Sequence, residues 1–547
     1  MGNTLEPQYS WSPPPDLDAE PAEVFELPAA RAASLSPAAL AELRDRATQV
    51  DLSLVIVASS SLPTAQPSLY KNVDRATKLE VLASILADPS SPLNRAAGAL
   101  LGMTCADALG APLEFMPVCD EPGKNAHATR FYKDTMRYVC ALNKFRMKPG
   151  QWTDDASMGL CMADSLIVTN AYDGSDLRVR FWTWWNRGYC NAFAKDSARS
   201  GSVGLGGNIG KSLRALEAKY SGCAAAAVPP TFESEGEDAG NGSLMRLAPI
   251  PIFFSRDVDE AMRCAKLSSL TTHPGPIAAE ACAFLAFAIA TAIHDPRLPL
   301  RGAPTFTAAM WLDEIADAYI ERLLDRVLAA ADDIAAAAAP TLARSSPAAS
   351  PAASAASLDE AAPPSAAGAS LDEAAASLDD PAAAASGCTA RFAAALASNA
   401  SKPVRPLLHL LRSRLPANST ERNWNWRGAN DGTLDIERTI ARRGHTYNGY
   451  AVSPGYFGAF SMDGLAMALF AVRETRTFTD AVVRCVNFLG DADSTASIAG
   501  QLAGALYGAS AIDTRWMANL VQWEDGEVAL RAALLYAARA PVVDVAK

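Results

Sequence analysis

Two short acidic segments, Trp152-Thr153-Asp154-Asp155 and Gly490-Asp491-Ala492-Asp493-Ser494, set paired carboxylates beside a hydroxyl in apolar, Gly- and Ala-rich surroundings. Charged side chains in such surroundings are rarely left unpaired. Four carboxylates drawn into one site repel one another unless cations sit between them. A ligand set made only of oxygen favours the hard ions Mg²⁺ or Mn²⁺ over zinc, which normally brings His or Cys with it. Each segment also precedes an apolar helical run, where an acidic residue caps exposed amides and favours the positive end of the helix. Capping accounts for one carboxylate per segment and leaves the second, with its hydroxyl, unexplained. Carboxylates bridging two ions, with hydroxyls completing their shells, would form a two-metal centre able to orient a substrate hydroxyl and activate water.

Between the two segments lies Gly240-Asn241-Gly242-Ser243-Leu244-Met245-Arg246. Glycines that open a helix leave backbone amides free for an anion and could seat a pyrophosphate, although Gly-Asn-Gly is also an ordinary turn. A second glycine-rich stretch, Ser202 to Gly210, has no strand before it and the wrong spacing for a dinucleotide fingerprint, which excludes a Rossmann turn. His273 is one of five histidines, and a lone His is more often structural than functional. It stands at the start of a long apolar run beginning at Ile277.

These residues need helices to hold them. From Arg95 to Gly110 small residues recur at three- and four-residue spacing, which lets helices approach closely and does not suit strands. Similar runs span 158–168, 277–293, 312–331, 463–472, 481–489 and 498–507, and no Asn-Gly hairpin flanked by β-branched residues competes with them. The predicted fold is all-α, a single compact helical domain. Residues 1–90 read as an N-terminal extension whose first 30 residues, rich in Pro, Asp and Glu, form a flexible tail, with helix-forming content at 39–57 and 78–86. Residues 332–387 are an Ala/Ser/Pro-rich insert with a repeated tetrapeptide, as in Ser357-Leu358-Asp359-Glu360 and Ser370-Leu371-Asp372-Glu373, and are expected to be disordered. The insert separates a first part of the domain, 91–331, from a second, 388–547. The two acidic segments lie on opposite sides of it, so one shared site requires both parts to build one domain.

Half of the 547 residues are hydrophobic, enough for a large core, and the net charge is −12. No Lys/Arg cluster stands out, which argues against a nucleic-acid partner. The ten cysteines include no C-x-x-C pair, so buried thiols are expected. Met1-Gly2-Asn3-Thr4-Leu5-Glu6 is not a signal peptide, and Glu6 stands where a myristoylation motif needs Ser or Thr. Glu280 within the stretch from Ile277 to Ile293 marks a buried helix rather than a membrane span. The expectation is a soluble, cytoplasmic protein away from membranes, its oligomeric state left open, a monomer included.

Five segments in order resemble the ADP-ribosylglycohydrolases, among them the dinitrogenase-reductase-activating glycohydrolases. They are Asp107-Ala108-Leu109-Gly110-Ala111-Pro112-Leu113-Glu114, then Gln151 to Met158, Gly240 to Arg246, Thr271-Thr272-His273, and Gly490 to Ser494 running into Gly500 to Gly508. The resemblance covers roughly residues 91–330 and 440–515. It implies an all-helical domain with a binuclear Mg²⁺ or Mn²⁺ centre that cleaves ADP-ribose from a modified protein side chain or a small ADP-ribosyl conjugate. It also implies Thr153, Asp154, Asp155, Asp491, Asp493 and Ser494 as metal ligands, with Glu114, Asp155 and Asp491 as the catalytic carboxylates. Asn241, Gly242, Ser243, Met245, Arg246 and His273 would line the ADP-ribose pocket, with an aromatic near Tyr456 or Phe457 on adenine. Two cations would hold the distal ribose hydroxyls and lower the pKa of water facing the anomeric carbon, so no catalytic His is needed.

Three departures stand out. Ala106 replaces the family's Gly before the first Asp, and Ser494 replaces Thr while keeping the hydroxyl. Asn208, in Gly207-Asn208-Ile209-Gly210, stands where arginine-directed relatives carry an Asp assigned as a base, and an amide cannot take a proton. Arginine as the leaving group is thereby weakened. The competing functions are a non-catalytic, crystallin-like structural or ADP-ribose-binding relative, and a Mg²⁺-dependent phosphohydrolase.

Overall fold

The computed structural model describes residues 26–50, 52, 54–56, 67–116, 118, 131, 144–234, 238–300, 305–342, 403–413, 424–428, 434, 446–447, 450–451 and 456–538. Most of the expected flexible tail, and the insert from residue 343 on, lie outside the described residues. Helices dominate, as predicted: α1 Pro37–Thr48, α2 Arg75–Ala87, α3 Pro92–Gly110, α4 Asp154–Thr169, α5 Gly174–Arg187, α6 Gly207–Tyr220, α7 Pro249–Phe253, α8 Val258–Ser269, α9 Pro276–His294, α10 Ala308–Leu342, α11 Arg405–Leu411, α12 Ser461–Arg473, α13 Phe478–Val486, α14 Ala492–Tyr507, α15 Thr514–Glu524 and α16 Glu527–Ala538. Among the described residues the one sheet is a hairpin, β1 Thr446–Tyr447 with β2 Tyr450–Ala451. The backbone of α10 stays helical to Leu342, past the residue where the low-complexity composition begins.

The centre of the fold is the pair α3 and α14, which packs more extensively than any other two elements. Its cause is legible in the residues. Gly98 and Gly102 on α3 lie one helical turn apart, as do Gly500 and Gly504 on α14. A Cβ on Gly98 would run into the carbonyl of Gly504, one on Gly102 into that of Gly500, and the converse holds for both. The register is antiparallel, since Gly110 at the end of α3 meets Ala492 and Asp493 at the start of α14, with 2.5 Å from its would-be Cβ to the Asp493 Cα. Ser91 caps α3 by accepting from the Asn94 amide at 3.0 Å, with Pro92 at the first helical position.

Helices from both sides of residues 343–402 share one core, in which α9, α12 and α13 flank α14 and α16 packs on α3 and α4. The N-terminal helices α1 and α2 lie on α16, with α1 also on α4 and α2 on α3. Both α3 and α9 are long and apolar enough to cross a membrane, and both are buried among other helices. That burial accounts for their composition.

A buried ionic cluster ties α4 to α16. Asp164 accepts from Arg531 Nε and Nη2 at 2.8 and 3.1 Å, from the Tyr70 hydroxyl at 2.9 Å and from the Tyr189 hydroxyl at 2.6 Å. Burial alone would raise the Asp164 pKa, yet Arg531 and these donors hold it below the ordinary carboxylate value.

Candidate active site

Helices α4 and α14 both begin at the same place, beside the last turn of α3. Six acids meet there: Asp107 from α3, Glu114 just after it, Asp154 and Asp155 opening α4, and Asp491 and Asp493 at the start of α14. Oxygens of Asp107, Asp155 and Asp493 lie within 4.8 Å of one another, and so do oxygens of Glu114, Asp491 and Asp493. Asp493 belongs to both groups. The Thr153 hydroxyl joins the halves: it donates to Asp107 Oδ1 at 2.8 Å and lies 3.4 Å from Asp493 Oδ2 and 3.5 Å from Asp155 Oδ2.

Each carboxylate is aimed by local structure. Thr153 makes no side-chain cap for α4. Asp107 takes that role across the helix pair, accepting from the Thr153 amide at 3.0 Å and the Ala156 amide at 2.9 Å. Asp154 packs so closely on Gly204 that a Cβ there would run into its Oδ1, and Gly204 has φ of +88°. The rejected dinucleotide fingerprint thus contains a glycine required for a different reason, close approach to a carboxylate. Glu114 leaves a 3-10 turn, Ala111–Leu113, and is followed by Phe115 at φ 69°. The Phe115 amide donates to the Gly490 carbonyl and the Gly490 amide to the Met116 carbonyl, both at 2.8 Å, which pins the Glu114 segment to the second acidic segment. Asp491 accepts from Asn241 Nδ2 at 2.7 Å and from the Tyr456 phenol.

The electrostatics set these acids apart from Asp164. Burial, then neighbouring carboxylates, pushes Asp154, Asp155 and Glu114 well above the ordinary range, and Asp491 up to about 7. Asp493 rises to about 6 through burial and Asp107; Asp107 rises to about 6 through burial, against the donors it binds. Asp164 is as deeply buried and shifts the other way because an arginine meets it. No Lys or Arg pairs with the six among the described residues, and the Asp155 Oδ1 is buried with no hydrogen-bond partner. Oxygen-only donors, two clusters sharing one carboxylate and an orphaned carboxylate oxygen fit a pair of hard divalent cations.

The other predicted site residues are placed as follows. Asn241 reaches the carboxylates, as above. Gly242 lies against the His273 ring, 2.9 Å from its would-be Cβ to Cε1, and the 240–242 turn holds that ring closely. His273 bonds the Thr272 hydroxyl through Nδ1 at 2.8 Å, and burial followed by the Arg246 charge drops its pKa to about 3, so it stays neutral. Ser243 accepts from Ser269 Oγ at 2.9 Å and Cys282 Sγ at 3.4 Å, inside the fold. The Met245 carbonyl accepts from Ser497 and Gln501, and its sulfur from Ser494 Oγ at 3.4 Å. Arg246 is fully buried, over the Phe181 ring and donating to Thr272 Oγ1 at 2.7 Å. Asn208 lies beside the same turn, 3.6 Å from the Cβ position of Gly240. Phe457 is in the core, while Tyr456 stacks on Phe115 at 5.4 Å and 14°.

Asp107 lies in one of the five segments of the resemblance, but sequence alone assigns it no site role. Its signal was its isolation as the sole charge between Ala96 and Gly110. A buried helix keeps such a residue only where it finds partners.

A family model described as ADP-ribosylglycohydrolase matches residues 88–378 and 330–542. An ADP-ribosylarginine hydrolase Tri1 of Serratia proteamaculans is 30% identical over 204 residues, 37% of this chain and 48% of the relative. The ADP-ribosyl-[dinitrogen reductase] glycohydrolase of Rhodospirillum rubrum is 29% identical over 35% of this chain and 54% of its own. The ADP-ribosylhydrolase ARH3 of Danio rerio is 25% identical over 38% and 50%. The chain spans about half the length of the curated relatives it matches. The family match runs from α3 through α16 and takes in both acidic segments with the turn between them: this chain belongs to the ADP-ribosylglycohydrolase family.

Proposed function

We propose that the chain is a divalent-cation-dependent hydrolase that frees ADP-ribose from a modified protein side chain or a small ADP-ribosyl conjugate. The observation that carries the proposal is a cluster of six carboxylates, five buried and Glu114 half-buried, raised in pKa by burial and for most of them by one another, around one threonine hydroxyl. Asp107, Asp155, Asp493 and Thr153 would hold one ion, and Glu114, Asp491 and Asp493 the other. Asp154 belongs to neither group, and the Ser494 hydroxyl donates to the Met245 sulfur at 3.4 Å, so neither is assigned to an ion. Mg²⁺ or Mn²⁺, when bound, would supply the charge that grips vicinal ribose hydroxyls and acidifies a water near the anomeric carbon.

The chain's own groups do the rest. Asn241 fixes the Asp491 carboxylate from one side and Tyr456 from the other. Glu114 is the carboxylate best suited to move a proton, because it leaves a turn rather than capping a helix and shares a hydrogen bond with Asp493. It takes the proton of the attacking water as the bond from the anomeric carbon to the leaving atom breaks; the leaving atom keeps the bonding pair and is protonated by that same carboxyl group or by solvent. Asp155 and Asp491 offset the positive charge that grows on the sugar ring. Arg246 and His273 support the 240–246 turn, whose Asn241, Leu244 and Met245 amides already donate to the carbonyls of Ala459 and Asn241. Asn208 supplies no proton acceptor, which favours a linkage other than to arginine.

The test is a panel of arginine-, serine- and acetyl-ester-linked ADP-ribose substrates with Mg²⁺, Mn²⁺ or chelator. Release of free ADP-ribose that chelator stops supports the function. Release of phosphate instead would assign a phosphohydrolase, and tight binding of ADP-ribose without turnover a binding protein.

A further inference from the structure

On the ring of Phe115, the residue that follows Glu114, stands a cation that the hydrolysis does not use. Lys144 is exposed, and its Nζ lies 3.4 Å from the centroid of the Phe115 ring. Phe115 follows Glu114 directly, stacks on Tyr456 and is met edge-on by Phe145 at 6.1 Å and 65°. The segment carrying Lys144 is strapped down, since Arg199 donates to the carbonyls of Phe145 and Arg146, the second at 3.2 Å. The ammonium is therefore mounted on an aromatic shelf that continues through the Tyr456 phenol to Asp491. No carboxylate pairs with Lys144 among the described residues.

That placement has an electrostatic consequence. Once ions are bound and all six carboxylates are ionised, their negative charge exceeds what two divalent ions supply, so an anionic substrate meets a repulsive site unless a further cation stands near its path. Arg246 is fully buried and committed to Phe181, Thr271 and Thr272, so it does not serve. We propose that Lys144, seated on Phe115 beside Glu114, receives an anionic group of the substrate and so selects substrates with negative charge near the scissile sugar over cationic ones. The inference rests on the hydrolase function proposed above. The anion is a phosphate oxygen of the ADP-ribose or an acidic side chain next to the modified residue.

The test uses the full chain with Mg²⁺ and three substrates: O-acetyl-ADP-ribose, an ADP-ribosylated peptide with acidic flanks, and the same peptide with basic flanks. Lys144→Met is expected to lower kcat/KM about threefold and Lys144→Glu about tenfold, through KM and with less effect at high salt, as for a charge at a rim. Lys144→Arg, which keeps the charge and the ring contact, retains wild-type values. Loss on all three substrates identifies the phosphate as the anion, and loss confined to the acidic-flanked peptide identifies the side chain. Wild-type turnover matched by Lys144→Glu on every substrate overturns this inference alone. A wild-type chain that releases nothing from any of them sinks the hydrolase function and the inference with it.

Discussion

Replacing Gly500 by Ala tests whether close approach of α3 and α14 builds the site. In an ordinary helix the change stabilises by about 1 kcal/mol. Here the new Cβ would meet the Gly102 carbonyl oxygen, with the Gly102 carbonyl carbon at 2.8 Å and the Ala106 Cβ at 2.7 Å. Ordinary contact begins near 3.4 Å. The helices must part by roughly 0.5–1 Å, which forfeits a quarter to a half of each dispersion contact along the seam. With about 1–3 kcal/mol for overpacking, and a similar loss spread over the Gly98–Gly504 crossing, the clash outweighs propensity and leaves about 1–5 kcal/mol of destabilisation. For a fold of roughly 450 residues the unfolding entropy makes this a fall in Tm of about 1–5 °C. Scanning calorimetry with and without Mg²⁺ reads it. The ion-dependent gain in Tm should shrink too, because parting the helices draws Asp107 from Asp493. Gly207→Ala, where nothing lies within 4 Å of the new Cβ, is the control and should change Tm little. A Gly500→Ala protein as stable as wild type, with its full Mg²⁺ response, would refute the packing argument.

Asp493→Ala should abolish ADP-ribose release while leaving the helical circular-dichroism signal intact; undiminished release would remove Asp493 from both clusters. Asp107→Asn gives up charge-assisted bonds to Thr153 and Ala156 but relieves repulsion, so the ion-free Tm should move little while Mg²⁺ affinity, from calorimetric titration, falls about 10–100-fold. Without ions, Asp491 near 7 and Asp107 and Asp493 near 6 lie above their unfolded value of about 3.9, so the folded state holds extra protons. Stability of the chelated protein should therefore fall as pH rises from about 4 to about 7, and Mg²⁺ should raise Tm more at about pH 8 than at about pH 5. An equal Mg²⁺ gain at both pH values would count against the cluster as its binding site.

Thr153-Asp154-Asp155 and Asp491-Ala492-Asp493 were legible because adjacent acids before an apolar run have few structural explanations. Asp107 was not, since its partners at Thr153 and Ala156 are remote in sequence and only tertiary structure reveals that it caps α4 in place of Thr153. The 240–246 turn shows the converse. Asn241, Ser243 and Arg246 all carry groups that could bind a ligand, yet Ser243 and Arg246 bond inward to Ser269 and Thr272 while Asn241 alone reaches an acid. Helices α5, α6 and α8 were missed because they mix charges with apolar residues, where the small-residue runs gave no sign; α5 buries Arg180 with Trp182 and Trp184. The predicted end of α13 at Leu489 moved back to Val486, and Leu489 itself has φ of 67°. Small residues at four-residue spacing were plain in both α3 and α14, but spacing does not say which helix faces which, or in what direction. The antiparallel register supplies what composition could not. With Gly98 on Gly504 and Gly102 on Gly500, Gly110 must fall on Asp493, and the chain leaving α3 has three residues in which to set Glu114 beside Asp491. The distance between Glu114 and the carboxylates of Asp491 and Asp493 is thus fixed by a glycine seam that extends well beyond the acidic cluster itself.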